Sequence, residues 1–147
     1  MKKLMRYGAL VMALCVCVLA STSCGSNSDV KKYLGMIQEA TATVESSNSM
    51  EEMQEALEKM SKGVEVNEKY KLTEADKKEL EEAICKFLDA CVMKGAEIGA
   101  EQNGVEMTEE MTEMYNSVKE QMHKSVAEAV EKSETLGELD SNIERCI

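Results

Sequence analysis

Helical periodicity is the feature that most limits what this chain can fold into. Proline is absent from all 147 residues. Beyond residue 28 the apolar residues recur at intervals of three and four, the period of a helix face rather than of a strand. The strictest run comprises Met50, Met53, Leu57, Met60 and Val64. No run is apolar on all sides, so each helix must share its apolar face with others in a common core, and we predict an all-α fold.

Capping residues and glycines divide the pattern into separate helices. Ser49 and Glu52 have the spacing of a capping box, and Thr73 and Thr108 precede runs that begin with acids, as N-caps do. Gly104 follows the third run, where a glycine typically ends a helix. We predict helices near 29–46, 50–63, 74–102, 109–134 and 138–146.

These lengths predict a small antiparallel bundle of about four helices plus a short C-terminal helix. We expect the two long helices to pair antiparallel across the 103–107 loop. The two shorter helices together have the length of one long helix and could cover it. Gly95 and Gly99 lie inside the third helix, where they indicate either a close approach of a neighbouring helix or an early end or bend.

The first 24 residues have the features of an export signal. Lys2, Lys3 and Arg6 form a cationic head, and residues 7–20 form an apolar run of 14 residues. That run is shorter than the roughly 20 residues that span a bilayer, but it matches the apolar region of a secretory signal. The run ends in Ala20, and the small residues Ser21, Thr22 and Ser23 then lead to Cys24.

Small residues before a cysteine resemble the lipobox of bacterial lipoproteins, in which signal peptidase II cleaves before a diacylglyceryl-cysteine. Together with its helical periodicity, this feature makes the chain resemble small uncharacterised all-helical envelope lipoproteins of Gram-negative bacteria. The resemblance implies a signal peptide at 1–23, a lipid-anchored flexible tether at 24–28 and a single helical bundle domain at 29–147, with Cys24 as the lipidated residue.

One position departs from the lipobox pattern. Ser21 stands where the family usually has leucine. The alternative is an ordinary signal peptide cut after Thr22 or Ser23, which would release a soluble periplasmic helical protein. On the lipoprotein interpretation, the protein is anchored to the membrane through acyl chains on Cys24 and located in the cell envelope, on the periplasmic face or at the outer membrane.

The charge of the chain limits its partners. The net charge of the whole chain is −11, and removal of residues 1–23 leaves 14 bases against 28 acids, a net charge of −14. Nucleic-acid binders present a basic face to phosphates, so we expect no nucleic-acid partner. An anionic lipid surface would also repel the mature domain. We expect a non-catalytic binding or structural module whose partner is another envelope protein or a second copy, contacted through residual apolar residues such as Met36 and Met93.

Catalytic motifs are missing from the sequence. It contains no Gly-x-Ser-x-Gly, no phosphate-binding glycine loop and no His-Glu-x-x-His, and we expect neither an enzyme nor a cofactor. His123 is the only histidine. Glu120 and His123 have the spacing of a di-iron ligand pair, but such a site needs a second pair, so we interpret His123 as an exposed helix residue.

Of the six cysteines, three remain if Cys15 and Cys17 are removed with residues 1–23 and Cys24 is acylated. Cys85 and Cys91 are six residues apart on one predicted helix, about 9 Å along its axis and about 120° around it, so they cannot pair while the helix exists. Cys91 and Cys146 lie on apolar faces, where a disulfide and buried free thiols are both compatible with the sequence.

A methionine-rich face offers one alternative function. Met107, Met111 and Met114 recur on one helical face, and Met122 follows two turns later. Thioethers bind Cu(I), so periplasmic copper handling is the second hypothesis. The same spacing is typical of a core-facing stripe, and this stripe is continued by Val118, Val126 and Val130.

Overall fold

The structure is a computed structural model that describes residues 28–61 and 65–145. These residues form five helices: α1 (Ser28–Ser46), α2 (Met50–Ser61), α3 (Glu74–Asn103), α4 (Glu109–Lys132) and α5 (Leu136–Glu144). Within these ranges, β pairing is limited to a single antiparallel bridge between Lys71 and Thr135. The all-α prediction is confirmed.

Caps set the ends of the two long helices as predicted. The Thr73 hydroxyl accepts from the Asp76 amide, and the Asp76 carboxylate accepts from the Thr73 amide, which completes a reciprocal capping box. The Thr108 hydroxyl accepts from the Met111 amide at 3.2 Å and starts α4. Gly104 has φ 63° and closes α3 in the left-handed region that favours glycine.

The last helix differs from its predicted limits. It begins at Leu136 rather than near residue 138, because the hydroxyl of Thr135 accepts from the Glu138 amide and caps the helix there. The preceding helix, α4, ends at Lys132, with Ser133 as its C-cap.

The two long helices pair antiparallel, as expected. The Lys77 ammonium donates to the Glu131 carbonyl at 3.3 Å, and Asp89 contacts His123 further along. Partner numbers fall on α4 as they rise on α3, which is the signature of an antiparallel pair.

The two shorter helices do not cover the length of a long one. Helix α1 packs along α3, and α2 folds back against α1 and touches α3 only weakly. The prediction was wrong because the short connection at 47–49 turns the chain into a helical hairpin rather than continuing its direction.

All five helices contribute to one hydrophobic core. Its members lie between Val30 and Ile143, so the described residues form this core among themselves. The largest fully buried apolar side chains are Ile37, Leu80, Ile84, Phe87, Leu136 and Leu139.

At one end of the bundle the chain closes on itself; we call this end the base (residues 66–76 and 133–143). The Leu72 amide donates to the Glu134 carbonyl, and the Leu136 amide donates to the Tyr70 carbonyl, both at 3.0 Å. These two hydrogen bonds join the α2–α3 connection to the α4–α5 connection.

Glycine is required at the closest contact of the base. The Gly137 amide donates to the Glu68 carbonyl at 2.9 Å. A Cβ at position 137 would lie 2.9 Å from the Glu68 Cβ and 3.1 Å from its carbonyl oxygen. A larger residue would push the two connections apart.

Buried polar groups of the base have partners. Asp76, which is 2% exposed, also accepts from the Tyr70 hydroxyl at 3.1 Å. The fully buried Ser133 donates to the Ala129 carbonyl and accepts from the Asn142 side-chain amide. Such pairing offsets the cost of taking polar groups out of water.

A tyrosine joins α1 to the base. The buried Tyr33 hydroxyl donates to the Asp140 carboxylate at 2.6 Å. Burial, and after it the hydrogen bond and charge of Asp140, raise the pKa of Tyr33 well above its usual value. The contact places the start of α1 at the base.

Candidate functional site: an apolar tip on the long hairpin

The opposite end of the α3–α4 hairpin projects beyond the bundle; we call it the tip (residues 96–118). The 30 residues of α3 correspond to about 45 Å, and the 19 residues of α1 to about 28 Å. Since α1 starts at the base and α2 folds back along it, neither helix reaches the far end of the hairpin.

Large apolar side chains are exposed on the tip. Val105, Met114 and Val118 are 50%, 55% and 41% exposed, whereas Val126, two turns beyond Val118 on α4, is 1% exposed. Met114 and Val118 were predicted to lie in one continuous core stripe with Val126. That interpretation was wrong for the tip, because α3 is the described helix that lies beside this stretch of α4, and it leaves Met114 and Val118 uncovered.

Small residues leave a shallow groove between the two helices of the tip. Ala96, Gly99 and Ala100 on α3 face Met111 and Tyr115 on α4 across a depression of about 310 Å³. A Cβ at Gly99 would meet nothing within 4 Å. The groove is mostly apolar and is continuous, along α4, with the exposed side chains at positions 114 and 118.

The two helical glycines mark neither an early end of α3 nor a close approach of another helix. Helix α3 continues through both positions to Asn103, so it neither ends nor is interrupted there. A Cβ at Gly95 would lie at an ordinary contact distance of 3.8 Å from Met53. The close approach of a neighbouring helix is therefore not found at either glycine.

Acidic side chains surround the apolar surface. Residues 95–118 contain six glutamates and neither lysine nor arginine. All six glutamates are exposed: Glu97, Glu101, Glu106, Glu109, Glu110 and Glu113. Lys94, at the edge of this region, pairs with Glu97 at 3.4 Å. The tip thus combines an apolar centre with an anionic rim.

The methionines of the copper hypothesis are only partly brought together. Met111 lies in the groove and Met114 is exposed beside it, with Met107 half-buried one turn earlier. Met122 packs against the core. It is eleven residues from Met111, about 16 Å along the axis, so the two cannot ligate the same ion.

The thiols at positions 85 and 91 are half-buried and free. Burial raises the pKa of each to about 11, with the charges of Glu81 and Asp89 adding to the effect at Cys85. Raised pKa values suppress the reactive thiolate. The predicted Cys91–Cys146 alternative involves residue 146, which lies outside the described residues.

His123 is not simply an exposed helix residue. Its Nε2 lies 2.7 Å from the Asp89 carboxylate, and the contact joins α4 to α3. Glu120 is exposed and takes no part in it. Sequence reasoning missed Asp89 because the register between the two helices is not encoded in either helix alone.

A second depression, of about 330 Å³, lies between α1 and α3 and mixes both charge signs. Glu45, Lys86, Asp89 and Lys94 line it together with Met93. Of the two residues predicted as an exposed stripe, Met93 is half-buried here and Met36 packs against the core. Among the described side chains, the exposed large apolar residues are instead those of the tip, with Met50 and Leu57 on α2.

Residues 28–61 and 65–145 contain neither a cluster of metal-binding side chains nor a membrane-spanning helix. No group of three or more His, Cys, Asp or Glu side chains in these ranges is placed to hold a metal ion. None of their helices is both long and apolar enough to cross a bilayer. Cys24, the predicted lipidation site, lies outside them.

No protein-family model matches the chain, and neither the curated proteins nor the solved structures show a match.

Proposed function

We propose that the protein is an envelope lipoprotein, anchored through acyl chains on Cys24, that acts without catalysis by binding a partner at the tip. The observation that carries the binding role is the contrast between Val118 and Val126: one face of α4 is exposed at the tip and buried nearer the base. Exposed apolar side chains grouped within a polar rim are typical of interaction surfaces.

The position of the anchor supports this arrangement. Helix α1 begins at Ser28, four residues after Cys24, and four extended residues span at most about 14 Å. Since Tyr33 joins the start of α1 to the base, an acyl group on Cys24 would hold the base near the membrane. The tip would then face away from it.

The negative charge of the domain favours a position away from the lipid surface. A mature domain with 28 acids and 14 bases is repelled by anionic lipid. Two or more acyl chains supply stable anchoring where one chain is marginal. The domain would therefore be tethered to the surface rather than lie flat on it, with the tip available to another envelope protein.

Intact-mass measurement of the native protein tests the anchor. We expect a chain that starts at Cys24 and carries acyl chains, and we expect Cys24→Ala to abolish both processing and membrane retention. A bare polypeptide that begins at Ser23 or Cys24 would establish the soluble periplasmic alternative.

Photo-crosslinking in whole cells tests the binding surface. A crosslinker at Met114 should capture one recurrent neighbour. The same group at Met50, equally exposed on α2, is the matched control and should not capture it. Equal capture from both positions would contradict a binding role for the tip.

A further inference from the structure

We propose that the tip docks a positively charged amphipathic helix of another protein, an inference that rests on the proposed function. Three properties of the tip specify this partner: an exposed apolar strip, a groove that admits side chains, and a rim of one charge sign.

The apolar strip has the dimensions of a helix-binding face. Met114 and Tyr115 lie three and four residues after Met111, and Val118 lies four and three residues after them, so the four side chains share one side of α4. An amphipathic helix laid on such a face contacts it with its own residues at the same spacing.

The groove beside the strip supplies the close approach. The small side chains at Ala96 and Ala100, and the missing one at Gly99, leave open space next to Met111. One large apolar side chain of the partner fits there, so that it is enclosed by α3 and α4 together.

The rim decides the sign of the partner's charge. Six exposed glutamates and no base lie within residues 95–118. A second copy docked tip to tip would set two such groups against each other, and an anionic lipid surface is repelled by the same charge. Lysines and arginines flanking an apolar strip are complementary to it and would speed association at low salt.

Binding of designed peptides tests the inference. The protein is the Cys24→Ser chain from residue 24 onward, whose core is formed within Val30–Ile143. The probe is a fluorescent leucine–lysine amphipathic helix of about 18 residues, or roughly five turns. A counterpart with glutamate at every lysine position is the charge control. We expect the lysine peptide to bind, and the glutamate peptide to bind at least about tenfold more weakly.

Paired variants locate the binding. Met114→Ser with Val118→Ser should weaken the lysine peptide by about tenfold or more, and Met50→Ser with Leu57→Ser should leave it unchanged. Neutralising three of the six rim glutamates with E101Q, E106Q and E113Q should clearly reduce the salt dependence. The matched triple variant E55Q, E82Q and E131Q, exposed acids outside the tip, should retain it. Circular dichroism of each variant verifies that its helices are intact.

Each contrary result has its own meaning. If the tip variants and the control variants weaken binding of the lysine peptide equally, the net charge of the domain alone explains the attraction, and the proposal is overturned. Equal binding of the lysine and glutamate peptides would contradict the inferred positive charge of the partner. A dimer in light scattering that depends on the tip residues would assign the surface to a second copy. If neither peptide binds but Met114 still crosslinks to a neighbour in cells, the basic helix is wrong and the proposed function stands. Loss of that crosslink too would refute both.

Discussion

The base and the tip lie at opposite ends of the same two long helices, and they bury their apolar residues differently. At the base, Leu136 and Leu139 are fully buried, and the connections before α3 and after α4 are joined by backbone hydrogen bonds. At the tip, Val105 and Met114 are half-exposed. Both ends have helical apolar periodicity, so the difference comes from what packs against them.

The comparison teaches that an apolar stripe on a helix does not by itself indicate core. The stripe on α4 runs without a break from Met111 to Val130 in sequence. Helix α5 packs against α4, and Val126 and Val130, near the end of α4, are buried in the shared core. Near the start of α4, Met114 and Val118 on the same stripe stay exposed. The remaining surface is the one to which we assign binding.

Truncating one apolar side chain at each end should give the largest difference in stability between the base and the tip. Leu139→Ala should lower the free energy of unfolding by about 2–5 kcal/mol, because it leaves a cavity in a fully buried site. Val118→Ala should change it by less than about 0.5 kcal/mol. Urea unfolding of the two variants measures both values. A large loss at Val118 would mean that the tip is covered in solution.

The helix caps give the next largest contrast. Asp76→Ala should cost about 2–3 kcal/mol, because it removes the capping box and the buried carboxylate that accepts from Thr73 and from the hydroxyl of the half-buried Tyr70. Thr108→Ala, at the exposed cap of α4, should cost about 1 kcal/mol. Thermal unfolding followed by circular dichroism ranks them. Equal losses would show that the base network adds nothing beyond a surface cap.

Alkaline pH should act through the base. Because burial raises the pKa of Tyr33 above its ordinary value, the folded state retains a proton that the unfolded state releases above about pH 10. Stability should therefore be unaffected below that pH and fall above it, by up to about 1.4 kcal/mol per pH unit.

Urea midpoints at about pH 9 and about pH 11 measure this slope. The background should be Cys85→Ser with Cys91→Ser, because both thiol pKa values are raised in the same direction. Tyr33→Phe should reduce the slope, leaving the part that comes from the raised pKa of Tyr70, whereas Tyr115→Phe at the tip should leave it unchanged. Identical slopes in the two variants would refute the assignment to Tyr33.

Glycine replacements should give the smallest changes in the free energy of unfolding, and the sign of the change should be opposite at the base and at the tip. Gly137→Ala should destabilise by about 1 kcal/mol net, since an overpacking cost of about 1–3 kcal/mol at Glu68 exceeds the gain in helix propensity. Gly99→Ala meets open space and should stabilise by about 0.5–1 kcal/mol. Chemical denaturation resolves both. Destabilisation by Gly99→Ala would indicate that the groove is closed in solution.

Local features of the fold were predictable from sequence because they depend on residues a few positions apart. Thr73, Thr108 and Gly104 act where their spacing predicts, since a cap needs only the next three or four backbone groups. The limits of α1 and α3 lie within one residue of those predicted. Helix α5 starts two residues earlier than predicted, because Thr135 is its N-cap.

Features that join distant segments were not predictable in the same way. The contact between Asp89 and His123 depends on the register of two helices. The pairing of residues 68–72 with residues 134–137 joins two connections that sequence patterns describe only as loops. The groove at Gly99 looked like a helix contact because small residues occur both where a helix approaches closely and where a surface is left open.

By itself, the sequence determined that this chain is helical, where most of its helices begin and end, and how acidic its surface is, because these follow from periodicity, capping and composition. The tertiary structure decided which part of each apolar stripe becomes core. That choice depends on the direction in which α2 and α5 fold back, because burial is set by the neighbours that reach a surface and not by the residues on it.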